Sequence, residues 1–65
     1  MKTIYREEVN NYLITVCEIY RNSNFEYHLI VVDKFGGLVN WGESFNESAI
    51  KSMLFKAKEI YSNKV

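Results

Sequence analysis

YLITVCEIYRNSNFEYHLIVV, residues 12–32, is the stretch whose reading decides the fold. Tyr12 to Tyr20 and Phe25 to Val32 are rich in β-branched and aromatic side chains, which favour a pleated, half-buried strand. Arg21-Asn22-Ser23-Asn24 between them is turn chemistry, so the stretch reads as a β-hairpin with a four-residue loop. That loop sets the pairing: Tyr20 faces Phe25, Val16 faces Leu29, and Ile14 faces Val31. Side chains alternate between the two faces of a sheet, so these residues share one face with Tyr12, Glu18 and Tyr27. The opposite face carries Leu13, Thr15, Cys17 and Ile19 against Glu26, His28, Ile30 and Val32.

Downstream, Asp33-Lys34-Phe35-Gly36-Gly37 reads as a second turn, its two glycines able to supply positive φ, and it leads into a short strand, Leu38 to Trp41. A helix follows over residues 45–61. Ser44 and Glu47 have capping-box spacing, and Glu43 and Glu47 suit the positive end of the helix dipole. Ala49, Ile50, Met53, Leu54, Ala57, Ile60 and Tyr61 recur at helical spacing as one apolar stripe, with Lys56, Lys58 and Lys64 toward the C-terminal end. Upstream, Thr3-Ile4-Tyr5 favours a strand with Asn10-Asn11 as a tight turn. Ile4, Tyr5, Glu8 and Val9 also fit helical spacing, so α-β-β-β-α stays open beside the preferred strand. The fold class is therefore α+β: a small antiparallel β-meander of three to four strands packed on one C-terminal α-helix, in a single domain over residues 1–65.

Composition narrows the function classes. The chain has 65 residues, eight basic and eight acidic side chains, one cysteine and one histidine. A domain of this size buries only about 60% of the surface its unfolded chain exposes, so a deep active-site cleft would consume much of its core. A net charge of zero removes the simplest case for direct nucleic-acid binding, which needs a basic excess. Residues 1–33 carry three basic and five acidic groups, a net of −2, and residues 34–65 carry five and three, a net of +2. Neither half is extreme enough to imply a charged partner. One cysteine makes no internal disulfide, and with one histidine it makes no structural zinc site. The longest apolar run is Leu29 to Val32, too short to span a membrane. Charged residues stand where a signal peptide needs its apolar segment, and a lone cysteine suits a reducing compartment, so the expected location is the cytoplasm. Seven asparagines to no glutamine and six lysines to two arginines are the bias of AT-rich coding, common in low-GC bacteria and their phages.

Catalytic chemistry finds little support. The hairpin register sets Cys17 across from His28 with Glu26 diagonal: a thiol, a base and a carboxylate. Strand-centre residues on a small sheet have no wall to hold a substrate and no oxyanion donors, so packing is the better reading. The spacing of Gly36, Gly37 and Gly42 matches neither a Walker loop nor a dinucleotide fingerprint. No catalytic residue, cofactor or metal ligand is expected.

Surplus apolar surface is the positive signal. The second sheet face is too apolar for a solvated one, so it is either covered by the N-terminal segment or binds something. On the helix, Phe55 lies opposite the apolar stripe beside Ser48, Lys51, Ser52 and Glu59, and an aromatic with a polar rim suits a binding hot spot. Trp41, at a strand end, is amphipathic. Phe55, Lys51, Glu59, Trp41, Ser48 and Ser52 are therefore the candidate partner-binding residues.

The run Gly37-Leu38-Val39-Asn40-Trp41-Gly42-Glu43-Ser44-Phe45-Asn46-Glu47 resembles the strand-to-helix corner of HicB-type antitoxins, a resemblance that spans residues 26–61. The three-strands-and-a-helix arrangement also looks like double-stranded-RNA-binding domains. Those carry a basic pair at the start of the final helix, where this chain has Asn46 and Glu47. Glu43-Ser44-Phe45-Asn46-Glu47-Ser48 looks like a stretch of a small phage anti-CRISPR inhibitor of Cas9. That inhibitor is strongly acidic and this chain is neutral, so DNA mimicry does not carry over. What the resemblances imply in common is a small sheet-plus-helix module that works by binding. The expected function is a non-enzymatic interaction protein, of the kind a phage or mobile element uses to inhibit a host macromolecule. The alternatives are a homodimeric antitoxin-like regulator pairing through the second sheet face and a weak nucleic-acid-binding module.

Overall fold

The computed structural model describes residues 1–64. Four strands, β1 (Lys2–Val9), β2 (Tyr12–Arg21), β3 (Asn24–Val32) and β4 (Leu38–Ser44), form one sheet in sequential order, every neighbour antiparallel, and α1 (Glu47–Ser62) follows. The N-terminal segment is a strand, which removes the α-β-β-β-α alternative. The hairpin register matches the sequence reading, with Tyr20 on Phe25, Val16 on Leu29 and Ile14 on Val31.

The turns are tighter than expected. Arg21 and Asn24 already pair as strand residues, so the β2–β3 loop has two residues rather than four. Asn22 (φ +52°) and Ser23 (φ +64°) both take the left-handed conformation. That backbone matches the twist of the strands it joins, and asparagine tolerates it better than most residues. Asn10 (φ +51°) and Asn11 (φ +70°) do the same between β1 and β2. Only Gly36 of the glycine pair has positive φ, at +84°. The rest of that turn is organised by Asp33, whose Oδ1 accepts from the amides of Phe35 (2.9 Å) and Gly37 (2.8 Å).

β4 runs three residues past Trp41, because its backbone keeps pairing with β3 as far as Ser44 opposite Tyr27. The expected Ser44 cap is accordingly wrong. Ser44 ends the strand, and its Oγ accepts from the Asn46 amide at 3.0 Å. Asn46 is the N-cap: its Oδ1 accepts from the amides of Ser48 (2.8 Å) and Ala49 (3.3 Å), satisfying two of the helix's unpaired donors. At the other end no basic side chain lies in the last turn. Instead Asn10 of the β1–β2 turn donates from Nδ2 to the carbonyls of Tyr61 (3.3 Å) and Lys64, a cap supplied by tertiary structure.

The helix covers one sheet face. Ile14, Val16, Tyr27, Leu29 and Val31 from the sheet meet Ile50, Ala57 and Tyr61 from α1, with Tyr5, Val9, Tyr12, Met53 and Leu54 packed around them. Tyr12 and Tyr61 pack against each other with ring centroids 4.7 Å apart and planes tilted by 47°. Ile60, expected in the stripe, is half exposed: the sheet contacts a narrower strip than the apolar pattern offers. Gly42 faces the helix, where a Cβ would overlap Met53 Cε, so the missing side chain leaves room for the end of Met53.

Two substitutions test this account. Asn46→Ala should lower stability by about 1 kcal/mol in urea titration, with Ser44→Ala costing less. Ser23→Gly, which removes a Cβ from a left-handed site, should raise stability by about 0.5–1 kcal/mol, visible as a melting point several degrees higher.

Candidate functional site

Among the described residues α1 is the only layer on the sheet, and the opposite face stands open. The N-terminal segment does not cover it: β1 lies in the plane of the sheet, beside β2. Alternation from the observed register puts Leu13 and Ile19 of β2, Ile30 and Val32 of β3, and Leu38 and Trp41 of β4 on this open face. Leu38 is 65% exposed and Trp41 56%, while the residues of the two central strands are partly shielded by their neighbours.

A polar cluster sits at one end of this face. Trp41 stacks on His28 (centroids 5.9 Å, planes 14° apart) and donates from Nε1 to His28 Nδ1 at 3.3 Å. An indole N–H only donates, so Nδ1 is the acceptor and Nε2 carries the proton. Nε2 then donates to Glu26 Oε1 at 3.1 Å. Glu26 Oε2 lies 3.7 Å from Arg21 Nε, and Glu43 Oε2 lies 3.8 Å from His28 Nδ1. Both ring nitrogens are thus engaged, and neither partner is Cys17. The thiol lies opposite His28 as the register required, but it is buried at 6% exposure with the imidazole committed elsewhere. Nothing here prepares it as a nucleophile.

Glu26, His28 and Glu43 each place a potential ligand atom within 4.8 Å of the other two. The carboxylates meet different nitrogens of the ring, and a cation at Nδ1 would have to displace the Trp41 N–H. The cluster reads as a hydrogen-bonded network around a neutral imidazole. The Trp41–His28 contact went unseen in the sequence, although the pairing of Ile30 with Trp41 makes His28 its diagonal neighbour.

The other candidate residues lie on the far side of the molecule. Ser48, Lys51, Ser52, Phe55 and Glu59 are exposed on the outer side of α1, with Phe55 at 70%. Lys51 Nζ meets Glu47 Oε1 at 3.3 Å, one helical turn back. Phe55 borders a shallow hollow of about 600 Å³ between α1 and β1, shared with Glu7, Val9, Lys58, Glu59 and Ser62. The structure therefore brings five of the six candidates together and sets Trp41 apart on the open sheet face.

Beside this hollow, Tyr5, Glu7 and Lys58 tie the edge strand to the helix. The Tyr5 hydroxyl donates to Glu7 Oε1, Lys58 Nζ reaches the same oxygen at 3.0 Å, and the ammonium lies 5.5 Å from the Tyr5 ring centroid. The Tyr5 hydrogen bond, then Lys58, hold the Glu7 carboxyl below its ordinary value. Hydrogen bonds to Tyr5 and Glu7 raise Lys58 above its own.

Compared with protein-family models, with curated proteins and with solved structures, the chain matches none. Among the described residues no helix is long and apolar enough to cross a membrane.

The Glu7–Lys58 pair has a pH signature. A carboxyl whose pKa is lowered by folding stabilises above its unfolded value and loses that contribution as pH falls through its folded value. A raised ammonium stabilises below its unfolded value and loses its contribution as pH rises through the folded one. Lys58→Met should therefore cost stability at pH 7, and the difference from wild type should shrink in acid below about pH 4. Urea midpoints at neutral and acid pH measure this.

Proposed function

We propose that this chain is a non-enzymatic protein-binding module that acts by covering a surface of its partner. The observation that carries the reading is the one-sided sheet: a helix on one face and, on the other, exposed Leu38 and Trp41 beside half-buried Leu13, Ile19, Ile30 and Val32, with no described element layered over them. Sheets bury an apolar face against another element, and a contiguous apolar patch left in water is a marker of an interaction surface. Trp41 is suited to anchor it, since an indole combines a large contact area with little conformational freedom to lose. Its N–H is already satisfied by His28, so docking over the ring leaves no polar group stranded.

The exposed residues of α1 form a second surface, centred on Phe55. Both surfaces suit a small steric inhibitor of a host macromolecule, and the Asn- and Lys-rich composition suits a phage or mobile-element origin. A second copy of the chain is the alternative occupant of the sheet face, which gives the homodimeric regulator.

The test is comparative. Leu38→Ser with Trp41→Ser should abolish retention of a partner that wild type retains from bacterial lysate, with a melting temperature within a few degrees of wild type, as expected for exposed positions. Phe55→Ala and Lys51→Glu should weaken the complex only where the helix contributes. Sedimentation across the micromolar range separates the two occupants. A dimer dispersed by the double substitution assigns the face to self-association. A strict monomer whose partner binds the double variant as well as wild type overturns the sheet-face reading.

A further inference from the structure

The polar cluster on the open face holds one carboxylate with no bond to make. His28 Nδ1 accepts from the Trp41 indole at 3.3 Å, and Nε2 donates to Glu26 Oε1 at 3.1 Å, so the neutral ring has used both nitrogens. Glu43 Oε2 stands 3.8 Å from Nδ1, lone pair against lone pair, beyond hydrogen-bond distance. A proton on Nδ1 reverses this arrangement. Nδ1 becomes a donor and meets the indole N–H donor to donor, while Glu43 becomes the acceptor that the new N–H needs. The exposed Glu43 side chain has only to close the remaining gap, and the resulting bond is charge-assisted.

The surroundings suit a charged ring. Glu26 on β3 and Glu43 on β4 flank it with two carboxylates. From β2 come the Cys17 thiol, directly opposite, and Arg21, whose Nε lies 3.7 Å from the far oxygen of Glu26. α1 packs on the other face of the sheet and adds no charge here. Imidazole is the side chain whose charge changes between about pH 5 and pH 8. We propose that His28 is a pH-operated latch on Trp41: the neutral ring holds the indole against the sheet, and the protonated ring releases it and turns to Glu43. The bearing of the latch on binding rests on the sheet-face reading, in which Trp41 anchors the partner. A released indole has an unpaired N–H to bury on docking, so acid should weaken the complex.

The latch is read in the free chain, whose one histidine and one tryptophan give unambiguous resonances. In a nuclear magnetic resonance titration of the ¹⁵N-labelled full chain from about pH 8 to about pH 5, His28 should start as the Nε2–H tautomer. The Trp41 indole N–H should then shift, and exchange faster with water, with the midpoint of the imidazole. One pH unit below that midpoint the charged ring outnumbers the neutral one about tenfold. Nuclear Overhauser contacts between the two rings should by then have fallen to a small fraction of their alkaline strength. Glu43→Gln, at an exposed position, should lower the midpoint by about 0.2–0.7 pH unit, the worth of one partly exposed ion pair, with the indole following. His28→Gln should leave the indole N–H unmoved over the same range. An Nδ1–H tautomer at the alkaline end, or ring contacts and indole exchange unchanged on protonation, overturns the latch. Neither outcome touches the sheet-face reading, which is tested by partner retention in the Leu38→Ser, Trp41→Ser variant.

Discussion

Everything in this molecule depends on the register of the β2–β3 hairpin, closed by Asn22 and Ser23 in left-handed conformations. A one-residue slip would turn one strand of the pair over relative to the other. With β2 held in place, Tyr27, Leu29 and Val31 would leave the helix, and His28 and Ile30 would turn toward it. With a single helix to cover a four-stranded sheet, the register decides which side chains become core and which stay in contact with water.

The remaining elements are arranged around that pair. β1 extends the sheet on one side and supplies Asn10 to the carbonyl end of α1, so the first turn of the chain caps its last helix. β4 extends the other side, and Gly42 admits Met53. Tyr5, Glu7 and Lys58 fasten the edge strand to the helix with charge and aromatic contacts at the surface, where apolar packing thins out. A domain this small buries a modest share of its surface, so such peripheral ties weigh more than they would in a larger core.

The same economy explains the exposed surfaces. One helix cannot cover two sheet faces, and one stripe of that helix cannot use every apolar residue it carries. The open face around Trp41 and the α1 surface around Phe55 are two separate outcomes of this geometry. At Trp41 an exposed aromatic is hydrogen-bonded to a polar partner, His28, and that contact gives the open face a defined shape at one end.

The meander, the pairing of Ile14 with Val31 and the outward position of Phe55 were legible in the chain, because they follow from periods of 2.0 and 3.6 residues and from turn chemistry between apolar runs. Ends and caps were less so. Ser44 and Asn46 both have capping side chains, and the choice between them was made by how far β4 could keep pairing with β3. The Asn10 cap and the Tyr5–Glu7–Lys58 tie join residues far apart in sequence, and no local pattern records such distances. The uncovered sheet face stands between these cases. Its apolar composition was written in the alternation of residues 12–32, but whether residues 1–9 lay over it or beside it depended on backbone hydrogen bonding. An edge strand satisfies its amides and carbonyls by joining the sheet, and β1 does so, leaving the face open.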